Sequence, residues 1–160
     1  MINIIFVCHG NICRSPMAEF IFKDMIKKEH LEHEFNIASA ATSTEEIGNP
    51  VYPPVKALLE SKGLSCKSKR ARQITKDDLD FYDYIILMDN NNLRNLSYLY
   101  PQQANQNKIH LLMDFTGTKG QEVDDPWYTD NFALAYNDIK QGCTALLHFL
   151  KEKHDKKTSL

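Results

Sequence analysis

Hydrophobic and polar positions alternate in blocks along this chain. Ile2 to Cys8 is a short apolar run rich in β-branched and aromatic residues, which predicts a buried strand. From Pro16 to His30 the apolar residues Met17, Phe20, Ile21, Phe22, Met25 and Ile26 fall on one helical face, with Ser15 as the expected N-cap and Pro16 at the first helical position. Phe35 to Ala41 reads as a second strand, and GNPVYPP as a turn-rich loop. A helix is predicted over Val55 to Lys62, with Gly63 as its C-cap residue. Thr75 to Phe81 reads as a short capped helix and Tyr82 to Met88 as the third strand, with Asp89 placed to cap the helix after it. Ile109 to Met113 is the fourth expected strand. Asn131 to Lys153 is a long last helix with Leu134, Ile139, Leu146, Leu147 and Leu150 facing inward, and the polar tail KEKHDKKTSL is expected to fray.

Four strands separated by helices predict a single α/β domain over residues 1–160. Its core is an open, parallel, four-stranded sheet with helices on both faces, joined by right-handed crossovers. Ligands of such sheets bind beyond the carboxyl ends of the strands. Cys8 ends the first strand, so the loop after it lies where a site is expected.

Composition narrows the classes. The 160 residues are enough for one real core, and 42% hydrophobic with 25% charged residues is ordinary for a globular protein. A net charge of −2 argues against a nucleic-acid partner. The apolar start has no basic flank and breaks at Cys8–His9, unlike a signal peptide, and no stretch reaches membrane-span length, so no membrane partner and a cytoplasmic location are expected. Four cysteines, Cys8, Cys13, Cys66 and Cys143, lack zinc spacing, so no metal or other cofactor is expected.

The candidate chemistry lies in CHGNICRS. Gly10 permits positive φ and Asn11 tolerates it, so the backbone can curl into an anion-binding nest. The following helix points its positive end at the nest, and Arg14 offers a planar fork that matches two phosphate oxygens. These features surround one thiol and favour its reactive thiolate form, to which Ser15 can donate a hydrogen bond. His9, Gly10, Asn11, Ile12, Cys13 and Ser15 are then the lining and supports of a phosphate loop. A thiolate under a bound phosphate can attack phosphorus in line, while loop N–H groups and Arg14 stabilise the equatorial oxygens.

VCHGNICRSPMAE resembles the active-site loop of the low-molecular-weight protein tyrosine phosphatases, whose pattern is C-x-G-N-x-C-R-S-P near the amino terminus. SAATS at Ser39–Ser43, ARQIT at Ala71–Thr75, MDNNNL at Met88–Leu93 and DDPWYTD at Asp124–Asp130 resemble further segments of that family, and the likeness runs from Ile2 to about Leu150. The resemblance implies a Cys8 nucleophile, an Arg14 phosphate clamp, Asn11 and Ser15 as supports, and Asp125 as general acid, acting on phosphotyrosine proteins and inhibited by oxyanions. Asp125 also suits the role chemically, because an aryl leaving oxygen needs a proton and the second step needs an activated water. Pro126 restricts Asp125 to extended conformations, and the adjacent Asp124 competes for the role. Trp127, Tyr128, Ile12 and Glu45 are the expected pocket walls.

Two departures from the family pattern bear on the rim. Glu45 or Glu46 stands where many members carry an aromatic residue, and Lys69 and Arg70 stand where many have a histidine, which predicts an acidic side and a basic side. Three other functions compete. Arginine phosphatases tend to carry threonine in place of Ile12, and arsenate reductases need two cysteines that the segment Tyr82–Leu99 lacks. A non-catalytic phosphate-binding or redox-sensing module would need no acid. Cys13, five residues from Cys8 on a curled loop, is the expected disulfide partner of an oxidised Cys8.

Overall fold

A computed structural model describes residues 1–104 and 107–158. Four strands, β1 (Ile2–Cys8), β2 (Phe35–Ala41), β3 (Tyr84–Leu87) and β4 (Ile109–Leu111), form one parallel sheet in the order β2-β1-β3-β4. Ile4, Ile5, Phe6 and Val7 are all fully buried because both faces of β1 are covered. Alternate residues serve opposite cores. Ile4, Phe6 and Cys8 pack with helices α1 (Arg14–Lys28), α2 (Pro53–Ser61) and α6 (Phe132–Thr158). Ile5 and Val7 pack with Ile74, with Leu79 of α3 (Lys76–Phe81) and with Leu96 of α4 (Asn90–Leu99). The expected α/β sheet with helices on both faces is therefore present.

The register brings the strand ends together. Cys8 pairs with Ala41 and Val7 with Leu87, so the residues following β1, β2 and β3 meet at one edge of the sheet. There the Cys8 carbonyl accepts from the Thr42 N–H at 2.9 Å, and the His9 carbonyl from that of Ser43 at 3.0 Å.

Several boundaries differ from the sequence expectation. Helix α1 begins at Arg14, with Cys13 as a cap that makes no side-chain bond. Ser15 is inside the first turn, and its hydroxyl is turned toward Cys8 instead of capping. β4 ends at Leu111, because the chain tightens into a 3-10 turn, Leu112–Thr116, that buries Leu112 and Met113. That turn fits closely under α6, where a Cβ on Gly142 would lie 2.5 Å from Leu112 Cγ. Leu134 is 44% exposed, since Ala135, Tyr136 and Ile139 form the inward stripe of α6. The tail does not fray over 151–158 but continues α6. Lys151 pairs with Glu29 at 2.6 Å, and Lys153 lies over the Tyr84 and Phe149 rings. Residues 159 and 160 lie outside the described residues. Thr75 and Asp89 both cap as expected, each within a reciprocal capping box. No helix among the described residues is long and apolar enough to cross a membrane.

Candidate active site

The loop from Cys8 to Arg14 turns back over the sheet edge so that donors converge on one sulfur. Cys8 Sγ lies 3.0 Å from Ser15 Oγ and accepts from the backbone N–H groups of Asn11 at 3.3 Å and Ser15 at 3.4 Å. The positive φ that makes this curl belongs to Asn11, at 60°, and Gly10 is not left-handed. Asn11 holds that conformation because its side chain is locked. Its Nδ2 donates to Ser15 Oγ at 2.8 Å and Ser39 Oγ at 3.0 Å, and its Oδ1 accepts from the Arg72 N–H at 3.2 Å.

Behind Asn11 the bonding continues inward. Ser39 donates to the buried Glu19 carboxylate at 2.5 Å, and Lys23 and Lys69 flank that carboxylate at 2.6 and 3.6 Å. Lys69 also donates to the Ser39 carbonyl at 2.9 Å, and burial lowers its pKa below the ordinary lysine value despite the Glu19 charge. The expected basic rim is thereby corrected at Lys69, which is drawn inward by Glu19 and supports the loop from below.

Arg14 is only 2% exposed. Its Nη1 donates to Asp89 Oδ2 at 2.6 Å and to the Val123 carbonyl at 2.9 Å, and its Nη2 to Asp125 Oδ2 at 3.3 Å. Burial alone would lower its pKa, but the charges of Cys8, Asp125 and Asp89 outweigh burial and hold the guanidinium above its ordinary value. These bonds occupy three of the five N–H groups of a guanidinium, leaving two without a hydrogen-bond partner among the described residues. Cys13 is a buried member of the loop, 5% exposed, and burial, reinforced by the charges of Cys8 and Asp125, pushes its thiol far up.

Asp125 is extended, with φ −76° and ψ 113°, as the following proline requires. Its Oδ1 accepts from the Trp127 N–H at 3.0 Å and so caps α5 (Pro126–Thr129). Its second oxygen is left facing Arg14. A cavity of about 100 Å³ opens between these parts, lined by Cys8, His9, Gly10, Ile12, Cys13 and Arg14 from the loop and by Glu45, Glu46, Asp125, Trp127 and Tyr128 around the mouth. Trp127 and Tyr128 are 52% and 82% exposed, so both are wall and neither is core. Tyr52 backs Trp127, with ring centroids 5.0 Å apart. Glu45 is held at the mouth by His9 Nε2 at 3.0 Å.

The residues proposed from sequence are thus brought to one place, with Asp124 exposed beside Asp125 and outside this cavity. Sequence reasoning assigned Asp89 only to helix capping and did not single out Glu19, Ser39 or Tyr52. A charged residue on the apolar face of α1 was the available signal for Glu19, four positions after Ser15 and thus on the same side of the helix.

Comparison with known proteins gives the family. The family model of the low molecular weight phosphotyrosine protein phosphatases matches residues 3–156. The Bacillus subtilis low molecular weight protein-tyrosine-phosphatase YfkJ is 40% identical over 154 residues, covering 96% of this chain and 98% of its own. Its crystal structure superposes with a TM-score of 0.90, covering 96% of each chain. The low molecular weight phosphotyrosine protein phosphatase of Gallus gallus is 39% identical over 155 residues, covering 95% of this chain and 96% of its own. A drosophila arginine phosphatase superposes with a TM-score of 0.84 at 32% identity, covering 92% of this chain and 97% of that one. With a matching family model over nearly its whole length, and close relatives aligned end to end, this chain belongs to the low molecular weight phosphotyrosine protein phosphatase family.

Proposed function

We propose that this chain hydrolyses protein phosphotyrosine and small aryl phosphates through a phosphocysteine intermediate. The observation that carries the reading is the convergence of the Asn11 and Ser15 donors on Cys8 Sγ, beside a buried guanidinium and a carboxylate facing it. In the first step the Cys8 thiolate attacks phosphorus, the P–O bond to the aryl group breaks, and Asp125 gives its proton to the leaving oxygen. Loop N–H groups and the two remaining Arg14 donors bind the equatorial oxygens as their charge grows. In the second step Asp125 takes a proton from water, the oxygen attacks phosphorus, and the S–P bond breaks to return the thiolate and release inorganic phosphate. Asp125 is favoured over Asp124 because its carboxylate lies in the cavity and reaches Arg14.

The pocket favours an aryl group. Ile12 gives an apolar wall beside the loop, and Trp127 backed by Tyr52 gives a flat one. An arginine phosphatase with a similar fold makes phosphoarginine the competing substrate, and Ile12, with no hydroxyl to offer a guanidinium, speaks against it. Hydrolysis of an aryl phosphate, a phosphotyrosine peptide, a phosphoserine peptide and phosphoarginine by purified protein tests the choice. Release of phosphate from the first two alone is expected, and faster turnover of phosphoarginine would overturn the assignment.

Cys13 supports a second proposal, reversible inactivation by peroxide. Peroxide oxidises the Cys8 thiolate to sulfenic acid with loss of hydroxide; the Cys13 thiol then attacks that sulfur and water leaves, forming a disulfide. In the reducing, cytoplasmic setting proposed for this chain, cellular thiols would reverse such a bond. Peptide mapping after peroxide should find a Cys8–Cys13 link that bound phosphate suppresses, and its absence would leave Cys13 a packing residue.

A further inference from the structure

Two of the three groups that hold Arg14 depend on the turn between β3 and α4. Asp89 belongs to that turn and accepts from Arg14 Nη1 directly. Val123, whose carbonyl also accepts from Nη1, is seated on the turn by its own N–H, which donates to the Met88 carbonyl at 2.9 Å. The third group, Asp125, lies two residues beyond Val123 on the same segment. A further tie joins that segment to the turn, where the Asn90 N–H donates to Glu122 at 2.6 Å. The turn itself is held by one buried side chain. Asn92, in the first turn of α4 and 1% exposed, accepts at Oδ1 from the Met88 N–H at 3.0 Å and from the Asp89 N–H at 3.1 Å. Its own N–H donates to Asp89 Oδ1 at 2.8 Å. The bond to Met88, one residue before the cap, exceeds what a capping box requires. Two donors facing it fix that end of the amide as the oxygen. The other end, Nδ2, is buried and has no hydrogen-bond partner among the described residues. The amide therefore strands a donor in order to place its oxygen, which makes the oxygen the working atom.

We propose that Asn92 is a positioning residue for the phosphatase reaction, acting through its amide oxygen. By fixing Met88 and Asp89 it directs Arg14, through Asp89 on one side and Val123 on the other, and it seats the segment that carries Asp125. Without that oxygen the two N–H groups lose their partner, the turn relaxes, and the guanidinium and the carboxylate move together. The inference rests on the reading above, in which Arg14 binds the equatorial oxygens and Asp125 protonates the leaving group.

The test compares Asn92→Ala with Asn92→Asp on aryl phosphates of graded leaving-group pKa, with inorganic phosphate as inhibitor. Asn92→Ala should lower kcat/KM for the poorest leaving group by roughly 10–100-fold, the upper end being the cost of a misplacement of about 1 Å. The loss should shrink for leaving groups that need no proton. Phosphate inhibition should weaken by about fivefold, the equivalent of one ordinary hydrogen bond. Asn92→Asp keeps an oxygen for both backbone N–H groups and should restore the wild-type leaving-group dependence. Each variant is measured at the pH of its own maximum, because the added carboxylate lines the same cavity as Asp125 and raises the pKa of its neighbours. Thermal melts show which variants are folded. Where Asn92→Ala is not, Asn92→Ser takes its place, its oxygen one bond nearer the backbone, with a smaller loss of the same form. A folded variant that melts earlier but keeps the wild-type leaving-group dependence and phosphate inhibition would overturn the inference and leave Asn92 a capping residue. A leaving-group dependence as steep in Asn92→Asp as in Asn92→Ala would overturn it too. No hydrolysis of any aryl phosphate by the wild type would instead overturn the reading on which the inference rests.

Discussion

The Arg14 guanidinium donates to the Asp89 carboxylate across 2.6 Å, joining the loop after β1 to the residue that caps the helix after β3. Their side chains are 2% and 14% exposed. Asp89→Asn is expected to keep the cap, since asparagine caps helices as well, but to remove the charge that faces Arg14. Breaking a buried pair from one side costs about 3–5 kcal/mol, and the remaining Asp125 contact brings the expected loss to the lower end of that range. Denaturant unfolding measures the loss, and weaker phosphate inhibition of the same variant would show that the proposed Arg14 clamp has lost its orientation.

Asp125→Asn separates the proposed acid from its structural duty. Asparagine can still accept from the Trp127 N–H, so the wall of the pocket should stay in place. With poor leaving groups kcat should fall by roughly 10²–10⁴, and the loss should shrink for leaving groups that need no proton. The same pattern in Asp124→Asn, with Asp125→Asn unaffected, would reverse the assignment.

The buried chain from Lys69 through Glu19 and Ser39 to Asn11 predicts an effect at a distance. Lys69→Met leaves Glu19 with Lys23 as its remaining cation. The Ser39 hydroxyl that donates to Glu19 also accepts from Asn11, so its loosening reaches Ser15 and Cys8. Slower alkylation of Cys8 and a lower kcat/KM are expected, with Lys69→Arg recovering more activity than Lys69→Met. Because burial lowers the Lys69 pKa, the wild type should lose this support at a lower pH than a surface lysine would allow. The alkaline limb of its rate profile should therefore change in Lys69→Arg.

At Gly142 the packing of α6 on the Leu112 turn leaves no room for a methyl group. The added Cβ of Gly142→Ala would sit 2.5 Å from Leu112 Cγ and 2.9 Å from its Cδ2. Helix propensity favours alanine by up to about 1 kcal/mol, while overpacking costs about 1–3 kcal/mol. Net destabilisation is expected in a thermal melt, and Leu112→Ala in the same chain should relieve part of it.

His110 links stability to pH. It sits half-buried on β4, with its ring centroid 5.4 Å from Phe115 and 6.2 Å from Tyr84, and burial lowers its pKa below 6.5, Asp114 opposing and Lys153 adding to the shift. As pH falls through 6.5 the unfolded chain takes up a proton before the folded one does, so stability should decline from there toward the folded pKa. The denaturation midpoint should show this slope, and His110→Phe should flatten it.

The sequence by itself determined the elements and the Cys8–Arg14 loop, because both are local. β1 and β2 run as their apolar patterns require, Thr75 and Asp89 cap where they stand, and the residues of CHGNICRS are close enough in sequence to fold around one point. Local pattern misled where packing overrode it. Ser15 is a good cap by type, yet the sulfur of Cys8 takes its hydroxyl, and Asn11 rather than Gly10 carries the positive φ because buried partners hold its side chain there. Only the tertiary structure decided what surrounds the loop. Asp89, Val123 and Asp125 reach Arg14 from 75 to 111 residues away, and Lys69 turns inward because Glu19 is buried beneath Ser39. Such pairings are set by the parallel register that aligns the strand ends, and no periodicity along the chain encodes which distant side chains that register brings face to face.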